Sequence, residues 1–231
     1  MIKTALLFSA LCSVTAEWEM TNVKDVTTLL GVDSPPGDGE TFYAAAGENG
    51  KGSGYIKSTN GGMTSTFDYP QGGMMDLDIA VSEDGTTMAM VGMGVFVKNA
   101  DSSDFTRVAG MSGVSQSVVA TQDGFGAAGQ FQNADGQFNG VAVSSDNGAS
   151  FNLVDIGTNM TAGFYARYAA FPSAKTWYVS TGSWPSDDDA VTKAHQLNRH
   201  VTKSGAFRTS TPSVKGIDTF VGSIVKTTDG G

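Results

Sequence analysis

Cysteine and histidine are almost missing from this chain of 231 residues. The one cysteine is Cys12, and the two histidines are His195 and His200. Histidines five positions apart do not share one face of a helix, and a disulfide or a Cys/His metal site needs more thiols than the chain has. The composition therefore excludes an internal disulfide and leaves no Cys/His cluster for metal binding.

Charged side chains are also scarce, at 16% of the residues, and most of them are acidic. The formal net charge is −9 at pH 7, and the sequence contains no cluster of Lys and Arg. Because an acidic surface repels the phosphates of DNA and RNA, we predict that the protein does not bind nucleic acid.

A long apolar run occurs only in the first sixteen residues, MIKTALLFSALCSVTA. Lys3 precedes the apolar stretch, small residues end it, and the run is too short to span a bilayer. We expect residues 1–16 to be a secretory signal peptide, and the protein to be secreted or extracytoplasmic without a membrane span. The mature chain would then lack a thiol nucleophile. The alternative is a buried N-terminal strand.

Glycine is plentiful, at 30 residues, and aromatic residues make up 10%, which favours a β-rich protein with many tight turns. A pattern of Thr, then apolar and small residues, then Gly recurs along the chain, and a second strand-like segment follows each copy. The copies are TFYAAAG (41–47), TTMAMVG (86–92), TWYVSTG (176–182) and the looser GFGAAGQF (124–131). Alternation of apolar and polar residues in them is typical of half-buried antiparallel strands.

A unit of roughly 40 to 50 residues with several short strands is typical of a β-propeller blade. We predict an all-β fold, a β-propeller of four-stranded antiparallel blades over residues 17–231, with about four blades visible. We expect the propeller to be incomplete, because the fourth repeat stops at Gly231; a closed four-bladed ring is the alternative. Residues 183–221 resemble no other repeat and are predicted to be an insertion in the fourth blade.

A turn motif follows several of these strands, and SSDNGASF at 144–151 is its fullest copy. Its Asp can accept hydrogen bonds from N–H groups of the same turn, its Gly tolerates a left-handed backbone, and its Phe can pack between sheets. The residues that fit the motif are Ser144, Asp146, Gly148, Ser150 and Phe151; Ser58, Asn60, Gly62 and Thr64; and Thr227, Asp229 and Gly231. Residues 98–105 are a degenerate copy.

This motif resembles the Asp-box of BNR-repeat propellers, Ser/Thr-x-Asp-x-Gly-x-Ser/Thr-aromatic. That class includes sialidases, sortilin-type receptors, some glycoside hydrolases, and the photosystem II assembly and stability factors, which residues 38–231 resemble most. The resemblance implies that the Asp-boxes lie on blade edges and have no catalytic role. We therefore predict that these turns are structural.

Few side chains suggest a ligand site. Arg167, flanked by two tyrosines, is the arginine best placed to grip a carboxylate, although it can equally pack on those aromatics. Asp76 and Asp78 alternate with apolar residues and therefore share one face of a strand. They could be a carboxylate pair that hydrolyses a glycosidic bond, or they could simply lie on a solvent-facing strand edge. Trp184, at the base of the insertion, can stack on a sugar or anchor a partner. Asn159 begins a glycosylation sequon.

These features predict an exported, monomeric, non-enzymatic scaffold that binds a protein or glycan partner through its loops. The sequence identifies no catalytic residue and implies no metal or other cofactor. The alternative is a carbohydrate-active hydrolase, similar to sialidases or other glycosidases, with part of its active site in further blades. Convergent Asp, Glu, Tyr and Arg side chains in the central funnel would favour the hydrolase.

Overall fold

A computed structural model describes residues 26–48, 52–69, 77–156, 165–173, 175–182 and 222–230. All regular elements in these ranges are β-strands, and none is a helix that could cross a membrane. Several predictions concern residues outside these ranges: the signal peptide (1–16), the insertion (183–221), and the residues Asp76, Asn159, Trp184 and Gly231.

The strands form four antiparallel sheets, and strands that follow each other in sequence pair within each sheet. Sheet I contains β1 (Val26–Asp33), β2 (Phe42–Glu48), β3 (Gly52–Ser58) and β4 (Thr66–Asp68). Sheet II contains β5 (Asp78–Val81), β6 (Thr87–Gly92), β7 (Gly94–Asn99) and β8 (Thr106–Arg107). Sheet III contains β9 (Gly113–Thr121), β10 (Gly124–Asn133), β11 (Gly136–Val143) and β12 (Asn152–Asp155). Sheet IV contains β13 (Tyr165–Ala170), β14 (Trp177–Gly182) and β15 (Gly222–Thr227).

The four sheets are arranged as blades of a propeller. The first strands of the sheets, β1, β5, β9 and β13, lie next to one another in that order, and each sheet packs on the next. The predicted all-β propeller, with about four antiparallel blades visible, is therefore confirmed. Within the described residues, sheet IV has three strands and the other sheets have four.

Three apolar clusters fill the gaps between consecutive sheets. Sheets I and II enclose Ala45, Tyr55, Ile79, Met90, Phe96 and Phe105. Sheets II and III enclose the largest cluster, which includes Val91, Val95, Val97, Phe125, Ala127 and Phe131. Sheets III and IV enclose Ala128, Val141, Ala166, Trp177 and Val179. The sheets in the middle are thus covered on both faces.

Burial on both faces corrects the expectation of half-buried strands. In β6, Met90 packs towards sheet I while the next residue, Val91, packs towards sheet III, and both are fully buried. Ala127 and Ala128 of β10 divide in the same way between sheets II and IV. Because successive side chains of a strand point to opposite faces, both neighbours must be apolar when both faces are covered.

Candidate functional site

The turn at 144–151 is held together by its own side chains. Ser144 Oγ donates to Asp146 Oδ1 at 2.8 Å and accepts from the Gly148 N–H at 2.8 Å. The Ser150 N–H donates to Asp146 Oδ1 at 2.8 Å, and the Ser150 hydroxyl donates to the other carboxylate oxygen. These bonds, led by those from Ser150, lower the pKa of Asp146. Gly148 has a φ of 86°, which few other residues adopt.

The turn after β3 repeats these bonds with an amide in place of the carboxylate. Ser58 Oγ donates to Asn60 Oδ1 at 3.1 Å and accepts from the Gly62 N–H at 2.9 Å. The Thr64 N–H donates to Asn60 Oδ1 at 3.0 Å, while Asn60 Nδ2 donates to Thr64 Oγ1 at 2.9 Å. In the fourth copy, the Thr227 hydroxyl donates to the Asp229 carboxylate. The Asp or Asn side chain of each of these turns therefore bonds to a Ser or Thr hydroxyl of the same turn.

A related turn, between β5 and β6, does not match the sequence motif, because Gly85 directly follows Asp84 and Met88 stands where the motif has Ser or Thr. Ser82 Oγ donates to Asp84 Oδ1 at 2.6 Å and accepts from the Thr87 N–H at 2.9 Å. The Thr86 N–H and hydroxyl also donate to Asp84 Oδ1. With the bond from Ser82 as the largest cause, the pKa of Asp84 falls to about 2, so Asp84 is ionised at neutral pH.

Asp78, a predicted ligand-binding residue, joins two sheets. Its Oδ2 accepts from the N–H of Val118 in β9 at 3.0 Å, and its Oδ1 accepts from the N–H of Ile79 at 3.0 Å. Burial is the largest influence on the pKa of Asp78 and raises it; the two hydrogen bonds oppose this, and the negative charge of Asp33 adds to it. A Cβ on Gly31 of β1 would lie 1.6 Å from Asp78 Oδ1, so only Gly leaves room for this carboxylate.

At each of the three junctions between the described sheets, a side-chain oxygen of one sheet accepts a hydrogen bond from a backbone N–H of the next sheet. Asp33 Oδ2 of sheet I accepts from the N–H of Val81 in sheet II at 2.8 Å. Asn139 Oδ1 of sheet III, which is fully buried, accepts from the N–H of Ala166 in sheet IV at 3.2 Å. The side-chain oxygens of Asp33, Asp78 and Asn139 therefore satisfy backbone donors of the next sheet, which would otherwise be costly to bury.

Arg167 also lies between two sheets. It projects from β13, where its Nη1 donates to Oε1 of Gln116 in β9 at 3.5 Å. Its guanidinium lies 5.3 Å from the centre of the Tyr165 ring, a distance suited to a cation–π contact. Partial burial is the largest influence on the pKa of Arg167 and lowers it. Asp78 and Arg167, both predicted as possible ligand-binding residues, thus each contact a neighbouring sheet.

A cleft of about 640 Å³ opens between sheets III and IV. Its apolar side is formed by Phe171 and Trp177, whose ring centres are 5.6 Å apart, together with Val143, Val154 and Pro172. Its polar side is formed by Gln122, Asp123, Ser145, Asn152 and Ser173. A Cβ on Gly126 would lie 2.2 Å from the Phe171 ring, so this ring rests directly on the backbone of sheet III.

A second cleft, of about 430 Å³, lies between sheets II and III and is acidic. Glu83, Asp84 and Asp123 contribute carboxylates to it, and Asn147 Nδ2 donates to Asp84 Oδ2 at 3.3 Å across the two sheets. Glu83, Thr121, Gln122 and Asp123 line both clefts. We call the two clefts together the turn-side groove, because the first-to-second strand turns of sheets II and III and the third-to-fourth strand turn of sheet III border it.

Sequence reasoning did not find this groove. Its three carboxylates and Gln122 come from two equivalent turns, SEDG (82–85) and TQDG (121–124), each of which joins the first strand of a sheet to the second. Their likeness in sequence and position was the available signal. Among the described residues, no group of three or more His, Cys, Asp or Glu is arranged to hold a metal ion.

No family model matches the chain, and no curated protein matches it. Among solved structures, it is similar to the GH74 enzyme of Niastella koreensis, with 17% identity and a TM-score of 0.47 over 67% of this chain and 22% of the enzyme. It is also similar to YCF48 bound to a D1 peptide, with 13% identity and a TM-score of 0.46 over 72% of this chain and 53% of YCF48. The chain spans less than two thirds of either protein. A shared fold does not by itself imply a shared function.

Proposed function

We propose that the chain is an exported, non-enzymatic propeller scaffold that binds a protein or glycan partner. The turn-side groove carries the proposal, because it is a concave surface lined by both apolar and polar side chains, as binding sites usually are. The hydrogen bonds of Asp78 and the contacts of Arg167 support binding rather than hydrolysis. Both side chains hold neighbouring sheets in place.

Binding and hydrolysis can be separated by two measurements on the full chain. We expect no turnover of fluorogenic α-sialosides, β-glucosides or β-galactosides, and selective retention of at least one member of a peptide or glycan array. Turnover that is lost in both Asp78→Asn and Arg167→Lys, with the fold retained, would contradict the proposal. If substitutions in the groove leave binding unchanged, the partner binds to another surface of the protein.

Export is tested by expressing the DNA segment that encodes residues 1–231 in a secreting host. We expect the protein in the medium or periplasm to begin at Glu17, as determined by mass spectrometry of the intact chain. In a eukaryotic host, we also expect a mass decrease on treatment with an N-glycosidase, and this decrease should vanish in Asn159→Gln. A cell-associated chain that retains residues 1–16 would contradict export.

A further inference from the structure

We infer that the turn-side groove binds an extended peptide that carries an apolar side chain and, a few residues away, a cationic one. The inference rests on the proposed binding function and names the partner's chemistry. It follows from the two kinds of residue that line the groove. The aromatic pair Phe171 and Trp177 lines only the larger cleft, whereas Glu83 and Asp123 line both clefts and Asp84 lines the smaller one.

The end between sheets III and IV suits an apolar side chain. Trp177 is 6% exposed and Phe171 is half-buried, so the two rings form a fixed wall supported by sheet III. Apolar surface on a ligand would leave water when it contacts this wall, and aromatic residues are favoured at such anchoring points. The volume of about 640 Å³ exceeds that of one side chain, so neighbouring backbone can also enter.

The end between sheets II and III suits a cation. Glu83, Asp84 and Asp123 are exposed there, and the bonds that Ser82 and Thr86 donate fix the Asp84 carboxylate in place. The described residues that line the groove include no Lys, Arg or His to neutralise these carboxylates. An incoming Lys or Arg side chain would therefore be attracted, and the attraction should weaken as salt screens it.

The part of the groove between its ends suits a peptide backbone. Gln122 lines both clefts and Asn152 lines the larger one, and a side-chain amide both donates and accepts hydrogen bonds, as a peptide group does. A neutral oligosaccharide could use the aromatic wall and these amides, but it would gain nothing from the carboxylates. Charge complementarity therefore favours a peptide with Lys or Arg over a neutral glycan.

The test uses defined synthetic probes. They are acetylated, amidated peptides in which Phe is separated by one, two or three Gly from a Lys-Lys pair, matched peptides with Glu-Glu or with Gly in place of Phe, and cellohexaose. Binding to the isotopically labelled chain is followed by NMR, where the side-chain amide signals of Gln122 and Asn152 report on the groove. Titrations at about 20 mM and about 300 mM NaCl compare Debye lengths of roughly 20 Å and roughly 6 Å.

We expect the Phe–Lys peptides to shift both amide signals, and the Glu peptides and cellohexaose to leave them in place. The double variant Glu83→Lys and Asp123→Lys should lower the affinity about tenfold or more at low salt, because two attractive charges become repulsive. The matched control Asp135→Lys, in the exposed turn between β10 and β11, should change it less than about twofold.

Three patterns of binding would overturn the inference. They are equal binding of the Lys and Glu peptides, peptide binding that shifts only signals outside the groove, and a groove that binds cellohexaose but no peptide. In the last two cases a partner is still bound, so the proposed binding function survives while the ligand chemistry assigned to the groove does not. Failure of every peptide to bind at millimolar concentration also overturns the inference. The peptide or glycan array then tests separately whether the protein binds a partner at all.

Discussion

Removal of the Asp78 carboxylate should loosen the junction between sheets II and III. Asp78→Ala leaves the N–H groups of Val118 and Ile79 without their acceptor, where the present bonds are both 3.0 Å long. An unsatisfied buried donor costs about 1–3 kcal/mol, and Asp78 is half-buried, so we expect a loss of about 2–4 kcal/mol in the free energy of unfolding. Asp78→Asn keeps one acceptor oxygen and should cost about half as much.

The dependence of this loss on pH provides a sharper test. Burial raises the pKa of Asp78 above its ordinary value of 3.8, so between the two values the folded protein holds a proton that the unfolded chain has released. The contribution of Asp78 to stability is therefore full at pH values below 3.8 and decreases as the pH rises through the folded-state pKa. The stability advantage of the wild type over Asp78→Asn should be larger near pH 4.5 than near pH 7.5.

The assay is urea unfolding of the wild type, Asp78→Asn and Asp78→Ala at both pH values, followed by far-UV circular dichroism. Comparing variants at each pH removes the effects of the other carboxylates, and Asp135→Asn in an exposed turn is the control for loss of one negative charge. A larger wild-type advantage at pH 7.5, or an Asp78→Ala variant as stable as the control, would refute the reasoning.

Three further predictions concern the turns and the cleft. Ser144→Ala should lower the free energy of unfolding by about 1–3 kcal/mol, because its hydroxyl is buried and holds the turn, whereas Ser145→Ala should be neutral in thermal unfolding. Gly126→Ala should displace the Phe171 ring and change the near-UV circular dichroism spectrum, whereas Gly39→Ala, with open space around it, should not. Identical spectra for the wild type and Gly126→Ala would contradict the contact between Gly126 and Phe171. The stabilisation that Asp84 provides is full above its ordinary pKa of 3.8 and decreases as the pH falls towards about 2. The free energy of unfolding of Asp84→Asn should therefore depend less on pH in this window than that of the wild type. An unchanged pH dependence would contradict the hydrogen bonds assigned to Asp84.

Local features of this fold can be predicted from the sequence. The bonds that the Ser144 and Asp146 side chains make in the turn at 144–151 join residues at most four apart, and these residues are all in the motif. The repeats that end in Gly47, Gly92 and Gly182 coincide with second strands, because strand length and turn glycines are set within each copy. Their regular recurrence was enough to predict a propeller.

Contacts between sheets could not be read in the same way. The acceptor bond of Asp78 reaches Val118, 40 residues away, so an interpretation as an exposed carboxylate was equally consistent with the sequence. Ala127 packs towards sheet II and Ala128 towards sheet IV, but two adjacent alanines in the sequence do not indicate which sheet covers each face. The turn-side groove exists only because three sheets bring their turns together, and no single segment contains its pattern.

The most direct test of the propeller arrangement is a nuclear Overhauser spectrum that resolves the methyl groups of Ala127 and Ala128. The account predicts that the Ala127 methyl shows cross-peaks to methyl groups of Val91 and Val95 in sheet II, while the Ala128 methyl shows cross-peaks to Val179 in sheet IV. Cross-peaks from both alanines to the same sheet, or from neither to these valines, would contradict the arrangement of the four sheets as successive blades.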